Sequence, residues 1–469
     1  MIFKNFDELK NFNFPVIIIG SGPAGISTAL KLEEKKIKCL IIEAGEVDYS
    51  DLSQKSYSSK VIGDQISDLQ FSRLRQFGGT SGQWGGWSKP MENYNLSAWP
   101  ISYSELNKYT NQTCKILDIK NEFNKSKINS YFNQIQFQYS QVRFKEKYEG
   151  YIKKSKYISL ILNTQVTKFI GEKKFIESIE CSSRGKIFIL PSKYFILATG
   201  GVENSRILLW TKENNPNIFN KDLPIGKFWM THPWFIGGYG ILEKSEMSKH
   251  LKGKFIEYEG PLHVASSKNL KLNENISSGA IYMSSNEDEK LYKEIIKDLL
   301  CIAPEFGKKI ARKTFGKDLK CGNIFMHLEE SPSENNRIVL DPFAKDKNNI
   351  PITNLYYKES QKTLLSAKKI LEEFANTCRE LDIGRVALKN QISELKKYES
   401  LGVYHHIGGT RLGNNKKDSV VDKNLKIHDN NNLFITGSSV FPTSGYTNPT
   451  FTIIQLSLRL GDHIFKILS

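Results

Sequence analysis

The feature that most constrains this chain is a short apolar run, Val16 to Ile19, that ends directly in Gly20-Ser21-Gly22-Pro23-Ala24-Gly25 and continues into Ile26, Ala29, Leu30 and Leu32 at helical spacing. Few folds let a strand, a tight turn and a helix start follow one another this closely. Gly20 permits the turn, Gly22 lets the backbone approach a pyrophosphate, and Gly25 lets helix and strand pack closely. The first N–H groups of that helix have no partner within it and would face the phosphates. A second strand, Cys39 to Ile42, closes at Glu43 and Ala44, about 20 residues after the first glycine, where a carboxylate can accept both ribose hydroxyls. The same carboxylate would repel the 2′-phosphate of NADP. The pattern predicts a dinucleotide site.

A chain of 469 residues, 39% of them apolar, is too long for one small core and predicts two packed units. After a polar stretch, Gly78 to Gly86 forms a Gly-rich loop that no regular element could contain. From Leu160 the pattern turns to strands: Leu160 to Leu162, Val166 to Ile170, Phe175 to Cys181, a Ser-Ser-Arg-Gly turn, Ile187 to Leu190, and Tyr194 to Ala198. The last of these runs into Thr199-Gly200-Gly201 and a further helix. Leu364, Leu365, Ala367, Ile370, Leu371, Phe374, Ala375 and Cys378 mark one amphipathic helix. Beyond Gly402 come Gly-rich turns, a strand from Leu433 to Thr436, and a final apolar helix after Pro449.

Met1 to Phe14 lacks the apolar run of a secretory signal, and no window reaches the eighteen or so apolar residues of a membrane span. The expectation is a cytoplasmic protein with no transmembrane segment. Six scattered cysteines suit buried thiols in a reducing compartment, and their spacing offers no metal site. The formal charge of +16 reflects either a Lys-, Asn- and Ile-rich composition or a surface that gathers anionic ligands and associates weakly with anionic membranes. Lys308, Lys309, Arg312, Lys313, Lys317 and Lys320 form a basic run, read as a solvated face or as a contact for such an anion. No helix-turn-helix or aromatic-interleaved basic motif points to nucleic acid.

Two segments, Gly78-Gly79-Thr80-Ser81-Gly82-Gln83-Trp84-Gly85-Gly86 and Phe195 to Leu209 (FILATGGVENSRILL), resemble the glucose-methanol-choline (GMC) oxidoreductase family. So do His406-Ile407-Gly408-Gly409-Thr410-Arg411-Leu412-Gly413, Val420-Val421-Asp422, Leu433 to Thr443 (LFITGSSVFPT) and Asn448-Pro449-Thr450-Phe451-Thr452, in that family's order and spacing. The pyranose 2-oxidase-like branch is the nearest match. The resemblance covers about half the chain and is weak from Trp234 to Asn335. It implies an α/β flavoprotein: a Rossmann-like FAD-binding domain from 1–110, 155–233 and 400–469, a connecting segment 111–154, and an inserted α+β substrate-binding domain, 234–399, on a mixed or antiparallel sheet. The implied FAD contacts are Gly20, Gly22, Pro23, Ala24, Gly25, Glu43, Ala44, Gly79, Thr80, Ser81, Gln83, Trp84, Gly85, Val166, Ala198, Thr199, Gly200, Gly437, Ser438, Pro449 and Thr450.

Taking hydride from an alcohol carbon leaves a protonated carbonyl unless a base removes the hydroxyl proton, and neutral imidazole suits that task near pH 7. His405 and His406 are adjacent and chemically identical; the family spacing to Gly409-Thr410 gives His406 as the base. Asn448 can donate its amide to the substrate oxygen or act as a helix cap, and Pro449 suits a helix start whose dipole would favour negative charge on a reduced flavin. His232 matches another family segment and reads as structural; His428 and His463 read as surface residues. Some relatives attach FAD through a histidine in the Gly78 to Gly86 loop. Here that position is Gln83, a very poor nucleophile, so non-covalent FAD is expected. The implied reaction is oxidation of a hydroxyl of a sugar, glycoside or polyol by hydride transfer to the flavin, with oxygen, a quinone or a partner protein as acceptor. Rival readings are another alcohol substrate, such as an aminoglycoside or nucleotide-linked sugar, a catalytically silent flavin-binding partner subunit, and electron transfer at a membrane surface.

Overall fold

Val16–Ile19, Cys39–Ile42, Ile158–Ile161 and Tyr194–Leu197 are apolar runs with almost no alternation, as expected of strands covered on both faces. In a computed structural model, which describes residues 1–9, 13–64, 66–219, 222–243, 262–283, 319–389, 392, 394–395, 402 and 404–469, they form one sheet. Its order is Ile2–Phe3, Ile158–Ile161, Cys39–Ile42, Val16–Ile19, Tyr194–Leu197 and Leu433–Ile435, and every pairing is parallel. The helices Pro23–Glu34 and Thr450–Leu468 lie against each other so closely that a Cβ on Gly461 would come within 2.6 Å of the Lys31 Cβ. The carboxyl ends of four of these strands carry Gly20, Glu43, Ala198 and Thr436, the edge where ligands bind in open α/β sheets.

Thr164–Glu172, Phe175–Ser183 and Lys186–Pro191 make an antiparallel meander, the second hairpin turning through Arg184 and Gly185, both at positive φ. The second lobe is a seven-stranded sheet, antiparallel in every pairing, in the order Gly384–Leu388, Trp234–Glu243, Leu319–Leu328, Gly279–Met283, Leu262–Ser266, Phe132–Ile135 and Lys125–Lys127. Side chains alternate across it. Val264, Ile281, Ile324 and Met326 face the helix Gln361–Glu380 and pack with its Ile370, Leu371 and Phe374. His263, Tyr282, Phe325 and His327 occupy the intervening positions. Ser360 caps that helix, accepting from Thr363 N at 3.1 Å.

The connecting segment 111–154 thus supplies two strands to the substrate sheet, and Ser59–Gly63 pairs in parallel with Pro351–Tyr357 beside Arg337–Lys345. Both strands of the connector are short, KSK and FNQI, and neither is long enough to show a hydrophobic period. The basic run from Lys308 to Lys317 lies outside the described residues. Among the described residues no helix is long and apolar enough to cross a membrane.

Candidate active site

A cavity of about 860 Å³ opens at the carboxyl edge of the parallel sheet and runs beneath the antiparallel one. His406, Asn448 and all the FAD contacts expected from sequence line it except Gly25. The geometry separates the glycines by cause. A Cβ on Gly25 would sit 2.0 Å from the Gly20 carbonyl oxygen, and one on Gly20, at φ +104°, 2.6 Å from that of Ala198. Packing therefore demands both. A Cβ on Gly22 would meet nothing within 4 Å; it would enter the cavity at a helix N-terminus that no side chain caps. An occupant of the cavity would account for that glycine, and a pyrophosphate fits both the missing side chain and the free N–H groups.

Glu43 closes this corner. Its Oε2 accepts from the Ser21 hydroxyl at 2.6 Å and the Ser21 N–H at 3.1 Å, and its Oε1 from the Gly45 N–H at 2.8 Å. The carboxylate is thereby fixed at the cavity wall with lone pairs left for hydroxyl donors. In the Gly-rich loop the Ser81 hydroxyl donates to the Gly78 carbonyl at 2.7 Å and accepts from the Phe144 N–H at 3.1 Å. Trp84 donates to the Val142 carbonyl at 2.8 Å, and Gln83 lines the cavity with its amide nitrogen 3.2 Å from the Phe71 carbonyl. Sequence reasoning passed over a buried ion network at the same wall, Arg73–Glu203 at 2.7 Å, Glu203–Arg206 at 3.2 Å and Arg206–Asp346 at 2.8 Å. Burial would raise the Glu203 pKa, but Arg206 and Arg73 outweigh it and hold the carboxyl below its ordinary value.

The two adjacent histidines point to opposite sides of an extended segment. His406 is buried, its Nε2 2.9 Å from the Ser72 hydroxyl and its ring 5.9 Å from that of Trp229, while its Nδ1 has no hydrogen-bond partner among the described residues. His405 turns toward the substrate sheet. Its Nε2 lies 3.3 Å from the Asn448 amide nitrogen and its Nδ1 2.8 Å from Nδ1 of His232. Asn448 thus meets His405 and not His406. Burial, then the neighbouring His232, His327 and His406, push the His405 pKa well below its ordinary value; burial, with Arg73 adding to it, takes His406 to about 3.

Aromatic rings wall this end. Tyr282 and Phe325 stack with centroids 4.7 Å apart, Trp234 donates to the Tyr282 hydroxyl at 2.8 Å, and Trp87 meets His263 at 5.1 Å. His232, His263, His327, Trp87, Trp234 and Tyr282 all line the cavity, and only His232 drew notice in sequence. The available signal was period-two placement of His, Tyr and Trp on the inserted strands, but it is weak where both strand faces carry large side chains.

Residues 332–457 match the family model described as GMC oxidoreductase, and residues 14–221 the one described as pyridine nucleotide-disulphide oxidoreductase. FAD is the cofactor of flavoproteins built from these two domain types. The chain is 29% identical over 281 residues to the fructose dehydrogenase large subunit of Gluconobacter japonicus, which covers 59% of this chain and 47% of that protein. It is 26% identical over 280 residues to 2-methyl-1,2-propanediol dehydrogenase of Mycolicibacterium austroafricanum, covering 59% and 48%. The chain therefore spans about half the length of the curated relatives it matches. Two solved structures share the fold over nearly all of both chains. Pyridoxine 4-oxidase from Mesorbium loti aligns with a TM-score of 0.61 at 13% identity, covering 96% of this chain and 99% of that one. Formate oxidase aligns with a TM-score of 0.57 at 14% identity, covering 98% and 99%.

Proposed function

We propose that this chain is an FAD-dependent oxidoreductase that converts the CH–OH of a neutral polyol or sugar to a carbonyl. The observation that carries the reading is the meeting of two half-sites in one cavity: a glycine cradle with an uncapped helix N-terminus, and a His405–Asn448 pair 3.3 Å apart under an aromatic wall. Bound in the cradle, FAD supplies the hydride acceptor. Pro23, Ala24, Gly79, Thr80, Ala198, Thr199, Gly200, Gly437 and Ser438 lie along the cavity where they would hold it, with Val166 and Ala44 farther along the same wall. Pro449 and Thr450 would turn the N-terminus of the final helix toward it.

His405 takes the substrate's hydroxyl proton on Nε2, and the Asn448 amide hydrogen-bonds the oxygen as that proton leaves. We place this role on His405 and not on His406, which the family spacing suggests, because the His405 ring meets Asn448 whereas the His406 Nε2 is engaged by Ser72. The flat walls of Trp87, Trp234 and Tyr282 suit the C–H faces of a sugar ring. The names of the two relatives, a fructose dehydrogenase subunit and a diol dehydrogenase, support a neutral polyol and leave a small aliphatic diol as the second reading. FAD is held without a covalent bond, as Gln83 has no nucleophilic nitrogen. We place the protein in a reducing compartment, the cytoplasm, on the buried thiols of Cys39, Cys114, Cys181 and Cys378.

The test is anaerobic bleaching of the flavin with a panel of sugars, glycosides and diols, followed by admission of air. Bleaching by one of them is the expected result. A flavin that none of them reduces, though dithionite does, would overturn the reading; recolouring in air would identify oxygen as an acceptor.

A further inference from the structure

The histidine that faces Asn448 does not stand alone, and the hydrogen-bond partners around it determine where its protons sit. His232 Nε2 lies 3.1 Å from the Ser444 carbonyl oxygen. A carbonyl only accepts, so that nitrogen carries the hydrogen. Burial lowers the His232 pKa to about 4, against the pull of the Ser444 and Gly445 backbone and of Glu329, so the ring is neutral at pH 7 and its Nδ1 is bare. The Nδ1 of His405, 2.8 Å away, must then be the donor. In a neutral His405 this leaves Nε2 as the lone pair, turned to the amide of Asn448. The two rings stand at 84° to each other with centroids 5.0 Å apart, so this hydrogen bond also fixes the tilt of His405.

The His232 end of this row is clamped. The Thr231 N–H donates to the Glu330 carboxyl at 2.8 Å, and the Glu330 N–H donates to the Ser444 hydroxyl at 3.1 Å, so one residue holds the segments that carry His232 and its acceptor carbonyl. Polarity runs one way along the row: the Asn448 amide to His405, His405 to His232, His232 to Ser444.

We propose that His232 is a positioning residue that holds His405 in the Nδ1–H tautomer, with the Nε2 lone pair presented to the substrate hydroxyl. The inference rests on the reading of His405 as the base. His232 does not carry the proton onward, because its Nε2 is already protonated against a carbonyl that cannot take it. It accepts from the imidazolium formed at His405 and keeps that ring from turning over.

The first readout is the tautomer itself and needs no substrate; the second is the rate of flavin reduction. Holoenzyme labelled with ¹⁵N-histidine is examined by two-bond ¹H–¹⁵N correlation, with the His405 signals assigned by their loss in His405→Gln. Wild type is expected to show a protonated Nδ1 and a bare Nε2 at His405, with the reverse at His232. In His232→Leu the Nδ1–H form of His405 should no longer dominate, and flavin reduction should slow roughly 10- to 100-fold, the scale for losing the partner that orients a working imidazole. His232→Asn, whose carbonyl can accept from His405, should restore the tautomer and most of the rate. A protonated Nε2 at His405 in wild type, or Leu and Asn variants that match each other in tautomer and rate, would overturn the proposal. If the tautomers are as expected but no alcohol reduces the flavin, the functional reading fails and the hydrogen-bond row stands.

Discussion

Replacing each member of the adjacent histidine pair separates the two assignments of the base. His405→Ala removes the lone pair that faces Asn448; the one nitrogen this frees, Nδ1 of His232, had bonded Nδ1 of His405 and not Asn448, and the His327 ring centre is 6.4 Å from that of His405. The full contribution of a positioned base is then lost. That is roughly 10²- to 10⁴-fold, or about 2.7 to 5.4 kcal/mol at ~1.36 kcal/mol per factor of ten. His406→Ala removes the bond to Ser72 and the packing on Trp229, both of them structural. It should cost stability, about 1 kcal/mol for the hydrogen bond alone, and change the rate less than roughly fivefold. Anaerobic stopped-flow at saturating substrate measures flavin reduction in each variant, with thermal unfolding alongside. Because burial keeps His405 neutral, the wild-type rate should be flat with pH from neutrality upward and fall only on the acid side. A His406→Ala enzyme slowed a hundredfold, with His405→Ala near wild type, would refute the assignment.

Three further outcomes follow from the geometry. Gly22→Ala should purify as a folded apoprotein of wild-type thermal stability that retains little FAD, whereas Gly25→Ala, whose Cβ meets a backbone oxygen at 2.0 Å, should lose stability with or without cofactor; equal FAD content in Gly22→Ala and wild type would contradict the cradle. Acid or heat denaturation should release all the yellow colour into the supernatant, and flavin fluorescence that stays with the polypeptide would show a covalent link. Glu330 is fully buried, and burial pushes its pKa up to about 8 despite the Thr231 N–H and Tyr357. Its folded-state value is above the unfolded one, so its contribution is present at acid pH and lost as pH rises toward and through 8; Glu330→Gln should therefore gain in melting temperature over wild type as pH goes from 5 to 9, and a constant difference would count against the shift.

The dinucleotide half was legible because backbone requirements leave unambiguous letters. Gly20 to Gly25, Glu43 and Thr199-Gly200 lie at the carboxyl edge of the parallel sheet, where Gly20 and Gly25, at clash distances of 2.6 and 2.0 Å, admit no other residue. The substrate half was harder to read. Which of His405 and His406 turns toward Asn448 depends on the side of an extended segment, and one residue reverses it. Here the two hydrogen bonds between Met230 and Ile407, at 2.8 and 3.0 Å, set that side, and they join segments far apart in sequence. His263 and His327 became site residues only through the pairing of Leu262–Ser266 and Leu319–Leu328 into one sheet. Their letters alone look like any half-buried imidazole.

The last strand of the parallel sheet, Leu433–Ile435, lies on Tyr194–Leu197, and the Asn204 amide reaches the Thr436 carbonyl across 232 residues of sequence. On a ribosome adding about 5–20 residues per second, the first lobe waits roughly 10–50 s for this strand, with the hydrogen-bonding edge of Tyr194–Leu197 unpaired in the meantime. Gly437, Ser438, Asn448 and Pro449, which complete the cavity, arrive later still. Flavin can be enclosed only after these residues have been made. Cells short of riboflavin should therefore accumulate full-length, unfilled protein, and chaperone demand should fall on the interval before residue 433 emerges.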